Sequence, residues 1–156
     1  MTAVATPTKE HLDELPAPTV VVTSVASDSH MWNLVYVQLL VEELGYRVVN
    51  LGPCTPEALV IEACRLHAAD LLVVSTVNGH GYLDGLRLIT ALRECADLGH
   101  LPAVIGGKLG IHGGESVEAL ARLTTAGFDA VFEEQVHGTS GFVELLARGA
   151  QRRELN

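Results

Sequence analysis

Asp70-Leu71-Leu72-Val73-Val74-Ser75-Thr76 is the stretch on which the fold turns. Its apolar residues run without alternation, several are β-branched, and two small hydroxyl residues close it. A run this short and this uniformly apolar predicts a strand buried on both faces, as in a parallel sheet. The same signature appears upstream in Thr19 to Val25 and in Arg47 to Leu51, and downstream in Pro102 to Ile105 and the shorter Ala130 to Glu133. Helical patterns fill the gaps. Asn33 to Leu44 repeats apolar residues at Leu34, Val37, Leu40, Val41 and Leu44 until Gly45 stops it. Thr55 and Pro56 open the next helix as its cap and first helical residue, and it runs to about His67. Tyr82 to Leu98, Glu115 to Thr125 (closed by Gly127) and Ser140 to Arg148 complete the set. Strands alternating with helices over short connections predict an α/β domain. It is a three-layer, doubly wound, five-stranded parallel sheet with right-handed crossovers and flavodoxin-like order 2-1-3-4-5.

The remaining composition bounds the function. At 156 residues the chain makes one domain, and 48% hydrophobic residues suffice for a core. Residues 1–18 form a polar arm with prolines at 7, 16 and 18, residues 19–148 form the domain, and 149–156 form a polar tail. The arm lacks the basic start and apolar centre of a secretory signal, and no apolar run could span a bilayer, so a cytoplasmic protein is expected. A formal charge of −9 repels phosphate backbones, which argues against nucleic acid as a partner. Cys54, Cys64 and Cys95 form neither paired spacing nor a CxxC, so they are read as ordinary thiols.

In doubly wound sheets, ligands bind beyond the carboxyl ends of the strands, where the strand order reverses. Three loops on that edge are distinctive. Ser27-Asp28-Ser29-His30-Met31-Trp32-Asn33 follows strand 1 and Ser75-Thr76-Val77-Asn78-Gly79-His80-Gly81 follows strand 3. Residues 106–114, opening Gly106-Gly107-Lys108-Leu109-Gly110, follow strand 4. Glycines and small hydroxyl residues gathered from three loops suit a large ligand lying close to the backbone. A carboxylate two residues before an imidazole can hold one ring nitrogen and free the other for a metal, which singles out Asp28 and His30.

Together these residues resemble the cobalamin-binding domains of the methylmalonyl-CoA mutase, glutamate mutase and methionine synthase group. That family carries Asp-x-His-x-x-Gly, then Ser-x-Leu, then Gly-Gly. Here the positions are Asp28-Ser29-His30-Met31-Trp32-Asn33, Ser75-Thr76-Val77 and Gly106-Gly107, with residues 34–74 and 78–105 between them. Motif order and spacing agree from about Val20 to Leu146, and the chain looks most like the small (sigma) subunit of glutamate mutase, also called methylaspartate mutase. Two positions depart from the pattern: Asn33 stands at the family glycine and Val77 at the leucine. Asparagine tolerates the left-handed backbone that such a turn would use.

The resemblance implies adenosylcobalamin as cofactor, with its nucleotide tail off the cobalt and in a slot beside the sheet. His30 would be the axial cobalt ligand, with Asp28 behind it, and Ser75 would bond the tail. Gly106 and Gly107 would let the nucleotide pass, and Ser27, Ser29, Met31, Thr76, Val77, Lys108, Leu109 and Gly110 would line the corrin face and slot. It further implies an isomerase subunit, inactive alone, that works with a separate barrel-type large mutase subunit in a heterotetramer and converts L-glutamate to threo-3-methylaspartate. Another mutase or a corrinoid methyl-carrier protein are the alternatives within the family. Such carriers have a helical cap ahead of the binding domain, for which residues 1–18 leave no room. From other classes come a binding protein that has lost the cofactor, a receiver-type signalling domain, a nucleotide-binding domain and a direct metal site. Ser75 stands where a receiver needs aspartate, and the Gly106 loop matches neither GxGxxG nor GxxxxGK. His30, His80, His112 and His137 share one edge without the spacing of a local metal motif.

Overall fold

The computed structural model describes residues 16–110, 116–133 and 139–154. In chain order they form β1 (Thr19–Thr23), α1 (Trp32–Glu43), β2 (Arg47–Asn50), α2 (Glu57–Leu66) and β3 (Leu71–Thr76). There follow α3 (Gly81–Glu94), β4 (Ala103–Gly107), α4 (Val117–Ala126), β5 (Ala130–Glu133) and α5 (Ser140–Glu154). All neighbouring strands are parallel, in the order β2-β1-β3-β4-β5, so the expected flavodoxin-like topology is the one observed.

Strand side chains alternate between two cores. Val21, Leu72, Val74, Ala103 and Ile105 point to one face and pack with Val60, Cys64, Leu88, Ile89, Leu92, Leu123 and Phe128 from α2, α3, α4 and the turn after α4. Val20, Val22, Leu71, Val73 and Val104 point to the other and pack with Leu34 and Val41 of α1 and Phe142 and Leu146 of α5. Three helices therefore cover one face and two the other. Burial pushes the Cys64 thiol up to about 11, as expected of an inert core cysteine.

Several boundaries differ from the sequence reading. Thr55 does not cap α2: its hydroxyl donates to the Gly52 and Leu51 carbonyls, at 3.1 and 3.4 Å, and Pro56 takes the cap position. The gain is a turn that stays closed after β2. β4 continues through Gly106 and Gly107, which pair with Ser75 and Thr76 of β3 instead of belonging to a loop. Asn33 lies within helix α1, so it needs no left-handed backbone. The last helix continues past Arg148 to Glu154. Most of the N-terminal arm, His112 and His137 lie outside the described residues.

Candidate functional site

The loop after β1 is built around Asp28, which has no solvent exposure. Its backbone N–H bonds Val25 O at 3.1 Å, and its carbonyl accepts the Cys54 N–H at 2.8 Å, so the loops after β1 and β2 are clamped together. One carboxylate oxygen accepts the Thr76 hydroxyl at 2.7 Å and the Val77 N–H at 2.8 Å; the other accepts the His30 N–H at 2.9 Å and faces His30 Nδ1 at 2.7 Å. Burial alone would raise the carboxyl. The bonds from Thr76, His30 and Val77 outweigh it and bring the pKa down to about 2. Asp28 is thus a carboxylate at neutral pH and an acceptor only. In the neutral ring, His30 Nδ1 must then carry the proton, which leaves the lone pair on Nε2. The imidazole side chain is 59% exposed, so its orientation is fixed at Nδ1 while its other edge stands open.

Beside this loop, a cavity of about 470 Å³ opens between α1 and α5 over the carboxyl halves of β3 and β4. Asn33, Tyr36 and Val37 of α1, Val73, Ser75 and Val77, Val104, Gly106 and Gly107, and Phe132, Thr139 and Phe142 line it. Its size falls in the range of small-molecule sites, and its wall is mostly apolar with a few polar groups. Ser75 and Gly106 face each other across the β3–β4 pair. A side chain at Gly106 would sit within 3.0 Å of the Phe132 carbonyl and crowd the strand as well as the slot. Gly107 has a different reason to be glycine. Its φ is +108°, and a Cβ there would lie 2.1 Å from the Thr76 carbonyl oxygen, which also accepts the Lys108 N–H at 2.8 Å.

The structure thus brings Asp28, His30, Thr76 and Val77 into one bonded group and places Ser75, Val77, Gly106 and Gly107 at the slot. Ser29 and Met31 are exposed on the same edge, and the neighbouring Trp32 is 85% exposed, neither covering nor plugging the cavity. Ser27 turns the other way, bonding Asp84 and accepting the Asn78 side-chain amide at 2.9 Å. Leu109 is wholly buried under α3 against Gly81, so its side chain lines no part of the slot, and Lys108 and Gly110 stand apart from it as well. His80 is exposed at the start of α3. Among the described residues no three His, Cys, Asp or Glu side chains form a metal-binding cluster. The contributions of Tyr36, Phe132, Thr139 and Phe142 carry no local sequence signal, because they depend on how α1, β5 and the start of α5 come together beside β3 and β4.

The site thus combines one outward imidazole edge with a mostly apolar cavity beside its loop. Residues 18–143 match the family described as the B12 binding domain, and the chain belongs to that family. Among its relatives are glutamate mutase sigma subunits. It is 29% identical to glutamate mutase sigma subunit 1 of Haloarcula marismortui, covering 85% of this chain and 86% of the relative. It is 30% identical to the sigma subunit of Halobacterium salinarum, covering 76% and 78%. Among solved structures, a novel cobalamin-binding protein from Desulfitobacterium hafniense DCB-2 superposes with a TM-score of 0.67 at 18% identity, over 85% of this chain and 58% of that one. The response regulator protein from Burkholderia multivorans superposes with a TM-score of 0.57 at 19% identity, over 86% and 96%. At such identities both likenesses concern the fold alone. No helix among the described residues is long and apolar enough to cross a membrane.

Proposed function

We propose that this chain is the adenosylcobalamin-carrying small subunit of a carbon-skeleton mutase, glutamate mutase in the first instance, acting with a separate large catalytic subunit of barrel type in a heterotetramer. The observation that carries the proposal is the pairing of His30 with the slot. The imidazole is held at Nδ1 by a buried carboxylate at 2.7 Å, its Nε2 edge is open, and a cavity of about 470 Å³ begins beside it. His30 would ligate cobalt, Asp28 would hold the ring's tautomer and direction, and Ser75, Val77, Gly106 and Gly107 would receive the displaced nucleotide tail. When bound, the cofactor supplies radical chemistry through its cobalt–carbon bond. The chain's own part would be to hold that cofactor for the large subunit. No acid–base pair for the substrate is described at this edge apart from the Asp28–His30 couple, which the metal would occupy. The large subunit is therefore expected to bind the amino acid, and a cytoplasmic setting follows for such an assembly.

Mixing the purified chain with adenosylcobalamin tests this. The expected result is a visible spectrum of the base-off form, no turnover of glutamate by the loaded chain alone, and turnover once a glutamate mutase large subunit is added. A chain that leaves the cobalamin spectrum unchanged, or that rearranges glutamate alone, contradicts the proposal.

A further inference from the structure

Asn33 stands at the mouth of the slot and touches the residue expected to meet the tail. Its amide nitrogen donates to the Ser75 carbonyl at 3.1 Å and to the Ser75 hydroxyl at 3.0 Å. The carbonyl is only an acceptor, so the amide cannot be turned over: Nδ2 faces Ser75. The opposite oxygen, Oδ1, is buried without a partner among the described residues. A buried unpaired acceptor is costly, and the side chain bears that cost while holding Ser75.

The consequence falls on the hydroxyl. A serine Oγ has one proton to give and two lone pairs. With one lone pair taken by Asn33, and no acceptor for the proton among the described residues, the O–H is left to point into the slot that Ser75 lines. We infer that Asn33 is a specificity-determining residue of the slot: it sets Ser75 as a hydrogen-bond donor, so that the slot selects corrinoids whose tail ends in a base with an unprotonated ring nitrogen. A benzimidazole that has left cobalt carries such a nitrogen. A tail ending in a phenolic ring, linked through its oxygen, has none and would leave the donor unmatched. The inference rests on the proposed cobalamin function and adds to it the direction of one hydrogen bond.

The experiment measures dissociation constants, by absorbance titration, for cobalamin and for a cobamide with a phenolic lower base. The proteins are the full wild-type chain, Asn33→Asp, Asn33→Ala, Ser75→Ala and the Asn33→Asp/Ser75→Ala double variant, each checked for folding by circular dichroism. Cobalamin must first free its base from cobalt, which a phenolic cobamide need not do, so the readout is each protein's ratio of the two dissociation constants: one matched hydrogen bond predicts a ratio about tenfold more in favour of cobalamin for the wild type than for Ser75→Ala. Asn33→Asp offers only acceptors, turns the hydroxyl away from the slot and removes the preference. Asn33→Ala weakens it. Ser75→Ala removes it, and the double variant loses no more than Ser75→Ala. A wild-type ratio equal to that of Ser75→Ala, an Asn33→Asp chain that keeps the wild-type ratio, or one that loses both ligands alike overturns the inference and leaves the cobalamin reading standing. A wild type that takes up neither overturns both. Retained binding of the phenolic cobamide shows that a variant's slot is intact.

Discussion

The two faces of the sheet are built from one set of strands yet are packed to different ends. Under α2, α3 and α4 the apolar side chains close over the sheet, and Phe128, Leu88, Ile89, Leu92 and Leu123 are all essentially without exposure. Gly85 on α3 admits Ile105 so closely that a Cβ there would lie 2.7 Å from its Cδ1. Under α1 and α5 two helices span the width that three cover opposite, and cavities of about 470 and 630 Å³ remain along β4 and α5, both bordered by Val104 and Phe132. One face supplies stability; the other keeps a slot open at its carboxyl end, where His30 waits. The difference shows how a doubly wound fold can leave room for a ligand without loosening as a whole: both of these cavities lie in one layer, and the other layer is closely packed.

The largest expected effect tests the closed face. Phe128→Ala removes a ring with 1% exposure and should cost about 3–5 kcal/mol of stability in denaturant titration, with the slot unaffected. Acid should act next. The Asp28 carboxyl is lower in the fold, at about 2, than its ordinary value of 3.8, so its contribution is full above that ordinary value and disappears as pH falls through about 2. That contribution amounts to about 2 kcal/mol. Denaturant titrations of the wild type and Asp28→Asn from neutral pH to pH ~2 should show their stability difference shrinking by roughly that amount; a constant difference contradicts the buried, multiply bonded carboxylate.

A matched pair sharpens the comparison further. Val21 lies in the closed core with no exposure and Val104 borders both cavities with 2%. Val21→Ala should destabilise more than Val104→Ala, by about 1 kcal/mol, because atoms lining an existing void have fewer contacts to lose. Equal losses would mean that the α1–α5 face is packed as tightly as the other. Comparable in size, His30→Ala should cost about 1 kcal/mol, since the ring is mostly exposed but its Nδ1 bonds the buried Asp28 carboxylate, which keeps its other three donors; a loss of several kcal/mol would make His30 a structural residue.

The fold was legible because buried parallel strands announce themselves. Leu71 to Val74 and Val20 to Val22 have no alternation to confuse with a surface strand, and Gly45 and Gly127 end helices where expected, with φ of +91° and +135°. Within the site, Asp28, His30 and Ser75 were legible through spacing. What escaped was set by tertiary contact. Leu109 sits in a glycine-rich stretch that reads as ligand-facing, but the strand–loop geometry turns it into the core against Gly81. The Gly106-Gly107 pair reads as a loop, yet it closes the sheet beside Ser75 and Thr76. Asn33 reads as a bulky substitute for a turn glycine, whereas helix α1 begins early enough to aim it at Ser75. No local pattern encodes these, because each depends on a residue far away in sequence.

The central claim is that His30, oriented by Asp28, binds cobalt. The most direct measurement is the paramagnetic resonance of the chain loaded with cob(II)alamin and grown with histidine carrying the heavy nitrogen isotope. The account predicts that the axial nitrogen splitting changes from a triplet to a doublet on labelling and that this labelling response vanishes in His30→Ala. A splitting indifferent to labelled histidine, or unaltered in His30→Ala, would contradict it.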